Sequence, residues 1–246
     1  MKNIYVIVFL AIVASACNKS SSSASSDSSS SGQGGSLARF TVVNNFLYMV
    51  DWNSLKCYDL TQPASPVLKN SVPLNWDTET IFPYNNNLYI GSRNGMYVFS
   101  LKDPSNPVKL GEVSHLKSCD PVVANDTMAF VTLRAGTACG NVTEGLYVYN
   151  IKDPLKLEEV KLLPMTTPIG LGLNDTILYV CRMSDGLSVI NVKKPAEPEI
   201  LQTIKGDSFQ DVIAYNNLLI TYVSNGLILY DISKPAEPVE LTRLTN

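Results

Sequence analysis

One turn unit, repeated five times, constrains this chain more than any other feature. An apolar residue is followed at the third position by proline and, usually, by a second proline three residues later. The copies are Leu60-Thr-Gln-Pro63-Ala-Ser-Pro66, Leu101-Lys-Asp-Pro104-Ser-Asn-Pro107, Ile151-Lys-Asp-Pro154-Leu-Lys-Leu157, Val192-Lys-Lys-Pro195-Ala-Glu-Pro198 and Ile232-Ser-Lys-Pro235-Ala-Glu-Pro238. Successive copies lie 41, 50, 41 and 40 residues apart, so the third repeat carries an insertion. A fixed period of this length means stacked copies of one supersecondary unit. Proline fixes φ and withholds an N–H, so each unit reads as a rigid turn between strands and not as a ligand for an aromatic groove.

Each repeat has the same internal order. A polar turn comes first: Asn86-Asn87, Asn125-Asp126, Asn174-Asp175, Asn216-Asn217. A β-rich run follows, such as Leu88-Tyr-Ile90 or Leu178-Tyr-Val180. A glycine then opens a second run, as in Gly145-Leu-Tyr-Val-Tyr149 and Gly226-Leu-Ile-Leu-Tyr230. The proline turn leads to a third run, such as Val239-Glu-Leu241. Short β-branched and aromatic runs between turn residues indicate an all-β fold, and the 14 Gly, 14 Pro and 12 Tyr suit one. Four strands in about 41 residues match a propeller blade. The predicted architecture is a five-bladed β-propeller of four-stranded antiparallel blades over residues 37–246, with blades at about 37–72, 73–113, 114–163, 164–204 and 205–246. The first strand is expected at Phe40 and the last near Leu244, which leaves the ring to be closed by packing between the first and last blades alone.

Glycine, apolar, any residue, apolar, aromatic, Asp or Asn, apolar, two more, proline is the order of these copies, and it resembles the LVIVD-repeat family over residues 37–246. The resemblance implies a β-propeller of a kind common in bacterial surface lipoproteins, and it implies no defined activity. The third copy departs from the pattern, with Leu157 where proline is expected, which predicts a looser outer turn there.

The first 17 residues, MKNIYVIVFLAIVASAC, join a cationic start to an apolar run from Ile4 to Val13. That run is too short to span a bilayer and reads as an export signal. Ala14-Ser15-Ala16-Cys17 resembles the lipobox of bacterial lipoproteins, which implies cleavage before Cys17 and a lipid on its thiol. Residues 18–36 hold eleven serines and no aliphatic side chain larger than alanine, so they read as a disordered tether with a reach of about 24 Å. Asn18 after the cysteine resembles outer-membrane sorting. The expected address is the bacterial cell envelope, with the membrane touched through the lipid anchor only.

Propeller geometry places the Asn/Asp turns and the proline turns on one face and the irregular loops on the other. Variable loops on a rigid scaffold are where binding concentrates. Arg93, Arg134 and Arg182 open three successive loops of that face. With Trp76, Asp120, Phe209, Asp211 and Tyr222 they could receive a carboxylate, a phosphate or a sugar. The competing reading is that each arginine pairs locally with Asp77, Glu79, Asp120 or Asp211 and only holds loops together. Cys119 and Cys139 enter loops on the same face of the third repeat and are expected to form a disulfide, which export permits. Cys57 and Cys181 fall at apolar or small positions of the pattern and are expected to stay free.

A net charge of −3 and a pI near 5.2 argue against a nucleic-acid partner. One histidine, His115, rules out a site of several imidazoles, and no cofactor is expected. No nucleophile elbow and no Gly-rich phosphate loop is present. The leading reading is a binding module for a protein, peptide or glycan. One alternative is a polysaccharide hydrolase or lyase with Glu79, Asp120 or Asp211 at the channel mouth. The other is a structural factor in envelope assembly.

Overall fold

The structure, a computed structural model, describes residues 35–93, 95–114, 121–135 and 143–245, without the side chains of 75–77. Cys17, the tether through residue 34, His115, Cys119, Asp120, Cys139 and the Trp76 side chain lie outside the described residues. The described residues form strands and turns throughout.

The first repeat holds β1 (Phe40–Val43), β2 (Phe46–Asp59) and the first part of β3 (Val67–Tyr84). The second part of β3 opens the next repeat, followed by β4 (Asn87–Ser92), β5 (Gly95–Ser100) and β6 (Val108–Ser114). The third holds β7 (Val122–Ala124), β8 (Met128–Leu133), β9 (Gly145–Asn150) and β10 (Glu158–Pro164). The fourth holds β11 (Leu171–Asn174), β12 (Ile177–Cys181), β13 (Leu187–Asn191) and β14 (Glu199–Ile204). The fifth holds β15 (Phe209–Tyr215), β16 (Leu218–Val223), β17 (Gly226–Asp231) and β18 (Val239–Thr245). Each of the last three repeats is a four-stranded antiparallel sheet. The first two share a six-stranded sheet, because β3 pairs with β2 through residues 67–73 and Thr78 and with β4 through residues 78–84.

All five proline turns close alike. The carbonyl before each proline accepts an N–H three residues on: Ser65 to Gln62, Asn106 to Asp103, Lys156 to Asp153, Glu197 to Lys194 and Glu237 to Lys234, at 2.9–3.1 Å. Proline is thus at the second position of a β-turn, where its fixed φ is already correct. The third copy keeps this bond at 3.0 Å, so Leu157 loosens nothing; the turn depends on Pro154, and Leu157 packs against the neighbouring core. The polar turn of the second repeat sits one residue earlier than its sequence suggests. Asn85 and Asn86 take the left-handed conformation, φ 46° and 58°, and Asn87 already belongs to β4. At Gly226 φ is +133°, and a Cβ there would lie 2.0 Å from the carbonyl oxygen of Leu244. Only glycine lets β17 start so close to β18.

Inner strands stand side by side in chain order, β1 by β3, β3 by β7, β7 by β11 and β11 by β15. Four apolar seams hold them. Val43, Tyr48 and Cys57 meet Ile81, Leu88 and Phe99 between the first and second repeats. Val98 meets Val131, Leu178 meets Phe130, and Tyr179 meets Leu219 and Tyr230 at the next three. Two tyrosines cross their seams to the next proline turn: Tyr48 Oη donates to the Pro104 carbonyl at 2.7 Å and Tyr179 Oη to that of Pro235 at 2.8 Å. Cys57 and Cys181 are free and buried. Burial pushes the Cys57 thiol up to about 11 and that of Cys181 well above the ordinary range, so both are inert fillers.

No cluster of buried residues joins the fifth repeat to the first among the described residues. The central strands of the second to fourth repeats are buried on both faces, as in β5 and β12. In β15, β16 and β17, and in β1 and β2, buried residues alternate with partly exposed ones. Among the described residues, the expected seam between the terminal repeats is therefore not seen as a packed core. Leu178→Ala should cost about 2–5 kcal/mol, because a fully buried leucine leaves a cavity. Leu229→Ala, on the outward face of the fifth repeat, should cost under about 1 kcal/mol. Urea unfolding of both variants checks this; equal losses would mean that the terminal faces pack together in solution.

Candidate functional site

The irregular-loop face collects the ends of the second strands and the entries of the inner strands. Arg93 follows β4, and its Nε donates to Glu79 Oε1 at 3.1 Å, tying that loop to β3 of the same repeat. Arg182 follows β12 and is only 16% exposed. Its Nε donates to the Thr166 carbonyl at 3.1 Å, Nη2 to Thr166 Oγ1 at 2.8 Å and Nη1 to Ser188 Oγ at 3.3 Å. Asp185 completes the knot, with Oδ2 3.7 Å from Arg182 Nη2 and accepting from the hydroxyls of Thr166 and Thr167. The Thr166 hydroxyl, first among the causes, holds the Asp185 carboxyl below the ordinary range. Lys205 Nζ donates to the Asp185 carbonyl.

Arg134 is different. Its Nη1 approaches Met183 Sδ at 3.5 Å, and its Nε is buried with no partner among the described residues. A guanidinium N–H without an acceptor costs desolvation energy that a ligand acceptor would return. Arg134 and the Arg182 loop thus meet through Met183, across the third and fourth repeats. Glu144 flanks them: its carboxylate accepts from Ala135 N at 3.0 Å and Thr167 N at 3.3 Å. Arg93 is bound into its own repeat through Glu79.

Phe209 and Asp211 do not line the rim. Phe209 is fully buried in the seam between the last two repeats, where its backbone exchanges two bonds with Met183 at 3.0 and 3.1 Å. The register slip between Phe209 and Asp211 turns the ring inward. Asp211 lies at the inner edge against Gly35–Leu37. Its Oδ1 accepts from Ser36 Oγ at 3.3 Å and from its neighbour Val212 N at 2.9 Å, and the amides of Ser36 and Leu37 also donate to it. Burial nevertheless pushes this carboxyl above the ordinary range. Tyr222, half exposed, projects from the outward face of the fifth repeat. Sequence reasoning missed Ser36, Glu144 and Met183; a serine inside a serine run carries no signal of its own.

A hollow with a cavity volume of about 290 Å³ opens on the opposite face, lined by Val43, Pro83, Tyr84, Asn85–Asn87, Leu101 and Asp126. Tyr84 Oη and Asn85 Nδ2 both donate to Asp126 Oδ1, at 3.0 and 3.3 Å. Its polar lining is largely hairpin turn.

The raised Asp211 carboxyl makes a signed pH prediction. A carboxyl that holds its proton more tightly folded than unfolded stabilises fully below the unfolded value, near 3.8, and loses that contribution as pH rises through its higher folded value. In Asp211→Asn this component vanishes. Parent stability relative to the variant should therefore fall with rising pH across that window and then level off. Urea titrations of both proteins between pH 4 and pH 8 check it; a parallel pH dependence would contradict the burial of this group.

Comparison with known proteins matches the LVIVD repeat to residues 34–73 and 208–245, the first and last repeats. No curated protein matches the sequence. Among solved structures, the computationally designed Ika8 protein is similar at 11% identity and TM-score 0.62, over 84% of this chain and 62% of its own. A protein from Lactobacillus plantarum is similar at 12% identity and TM-score 0.63, over 82% and 68%. The periplasmic gluconolactonase PpgL of Pseudomonas aeruginosa is similar at 10% identity and TM-score 0.61, over 82% and 68%. This chain thus spans about two thirds of the length of the structures it matches, and at such identities the likeness is one of fold. The first and last repeats thus match the LVIVD repeat, and the neighbours share a propeller-like fold with the chain.

Proposed function

We propose that this protein is a binding module of the bacterial cell envelope, held to the membrane through a lipid on Cys17 and the serine-rich tether. The five repeats would form a five-bladed propeller, with Cys119 and Cys139 bridging two loops of its contact face. That face is the irregular-loop side, centred where the third repeat meets the fourth. The single observation behind this reading is Arg134, whose buried Nε has no partner among the described residues while Arg93 and Arg182 are committed to their own loops. A cation so held suits a carboxylate or phosphate acceptor on a protein or peptide, or a sugar hydroxyl on a glycan. Catalysis is the weaker reading, although a gluconolactonase and a virginiamycin B lyase are among the structures of similar fold. Glu79 is spent on Arg93 and Asp211 on residues 36 and 37, so neither faces a cleft as an available acid or base.

The test is capture from a bacterial envelope extract by the parent, by Arg134→Ala and by Lys234→Ala on the proline-turn face. Loss of a central guanidinium contact should cost about 2 kcal/mol or more, roughly thirtyfold in affinity. The expected result is a partner held by the parent and by Lys234→Ala but lost from Arg134→Ala. A partner retained by Arg134→Ala and lost from Lys234→Ala would transfer the site to the opposite face.

A further inference from the structure

The segment before β1 does not leave the fold as a free linker. Ser36 is 1% exposed, a rare degree of burial for a serine at the start of a domain. Its hydroxyl accepts from Leu171 N at 2.7 Å, at the start of β11, and donates to Asp211 Oδ1 at 3.3 Å, in β15. The amides of Ser36 and Leu37 add two donors to the same carboxylate. Two residues further on, the Ala38 carbonyl accepts from Ile81 N at 2.8 Å, in β3. Three consecutive residues thus bind the second, fourth and fifth repeats, reaching across 175 residues of sequence.

Side-chain size is selected as closely as hydrogen bonding. A Cβ on Gly35 would lie 2.1 Å from Asp211 Oδ2. A Cβ on Gly170 would lie 2.6 Å from both Asp211 Oδ1 and the Gln210 carbonyl oxygen. Both glycines have to be bare for peptide backbone, carboxylate and β11 to approach one another. A cradle of this kind takes a tight turn of peptide, closed here by Ala38 N donating to the Gly35 carbonyl at 3.1 Å, in which a side-chain-free residue is followed by a hydroxyl.

We propose that Gln210–Asp211 and Gly170–Leu171 form a peptide-binding cradle, filled in cis by Gly35–Leu37, and that this occupancy straps the first repeat to the last two. The strap stands in for the terminal seam that the described residues do not form as a packed core. The outward faces of the terminal repeats, with Phe40 63% and Tyr222 48% exposed, share no packed core among the described residues. With residues 35–37 in the cradle, the two ends of the array are held near the axis. With the cradle empty, nothing in the described contacts ties β1 to β15.

Hydrogen exchange on the full chain tests the proposal. Ser36→Ala removes one hydroxyl, and Gly35→Val blocks the approach to Asp211. Both should raise exchange at least tenfold in β15 and at Leu171 N, while β5 and β8, buried on both faces, keep the parent rate. A rise confined to residues 35–40 would overturn the cradle, because the cis segment would then be fraying without consequence for its partners. Ser36→Ala and Asp211→Asn should also be coupled. Their combined shift in Tm should fall short of the sum, since each removes the same bond. Additive shifts would overturn the proposal even if exchange rises, because the hydroxyl and the carboxylate would then act apart.

Discussion

Everything in this fold depends on one backbone bond that each repeat makes between its two turns. The first residue of the proline unit donates its N–H to a carbonyl in the polar turn: Leu60 to Asn45, Leu101 to Asn86, Ile151 to Thr127, Val192 to Thr176 and Ile232 to Asn217, all within 2.7–2.9 Å. The bond fixes the third strand against the inner hairpin. A second lock lies one step away. The last residue of the third strand caps the turn through its side chain, as Asp59 does for Thr61 N, Asn150 for Lys152 N and Asp231 for Ser233 N. Proline, two residues after the capped N–H, then needs no N–H of its own, which is why it can stand there in all five copies.

Because the turns hold each unit rigid, neighbouring units can pack as preformed plates. Burial on both faces in the second to fourth repeats follows from having a neighbour on each side. The tyrosine bonds from Tyr48 and Tyr179 set the rotation of one plate on the next, since a phenol that crosses the seam reaches only one carbonyl. Burial keeps both phenols protonated, raising them well above their ordinary value, so the donor is never lost.

The repeated parts of the molecule were legible in the sequence, and the unrepeated parts were not. Proline spacing located all five turns, and the start of β1 at Phe40 and the end of β18 at Thr245 follow from the same pattern. Cys57 and Cys181 were readable as fillers, because other repeats carry apolar or small residues at those positions. Phe209 was not, since an aromatic residue at a strand entry can face either way and a one-residue slip decides which. The arginines were recognised as a set, but their fates differ. Arg182 has Thr166, Ser188 and Asp185 within reach, whereas among the described residues Arg134 meets a thioether at Nη1 and no acceptor at Nε. Such differences lie in loop geometry, which no repeat averages out.

Ser36 shows the limit of composition most sharply. A serine-rich stretch cannot bury apolar surface, which is why composition alone reads it as a tether. Yet its last residue is as buried as most core leucines, because a carboxylate and an amide wait for its hydroxyl. The boundary between tether and fold is set here by polar groups supplied from the far end of the chain. A repeat array pays for the absence of a terminal seam with exposed apolar edges, and hydrophobic packing cannot remedy that from within a single plate. A few directed hydrogen bonds can act where packing cannot, because residues 36 and 37 bring the start of the first repeat onto Asp211 of the last and restrain the separation of both plates.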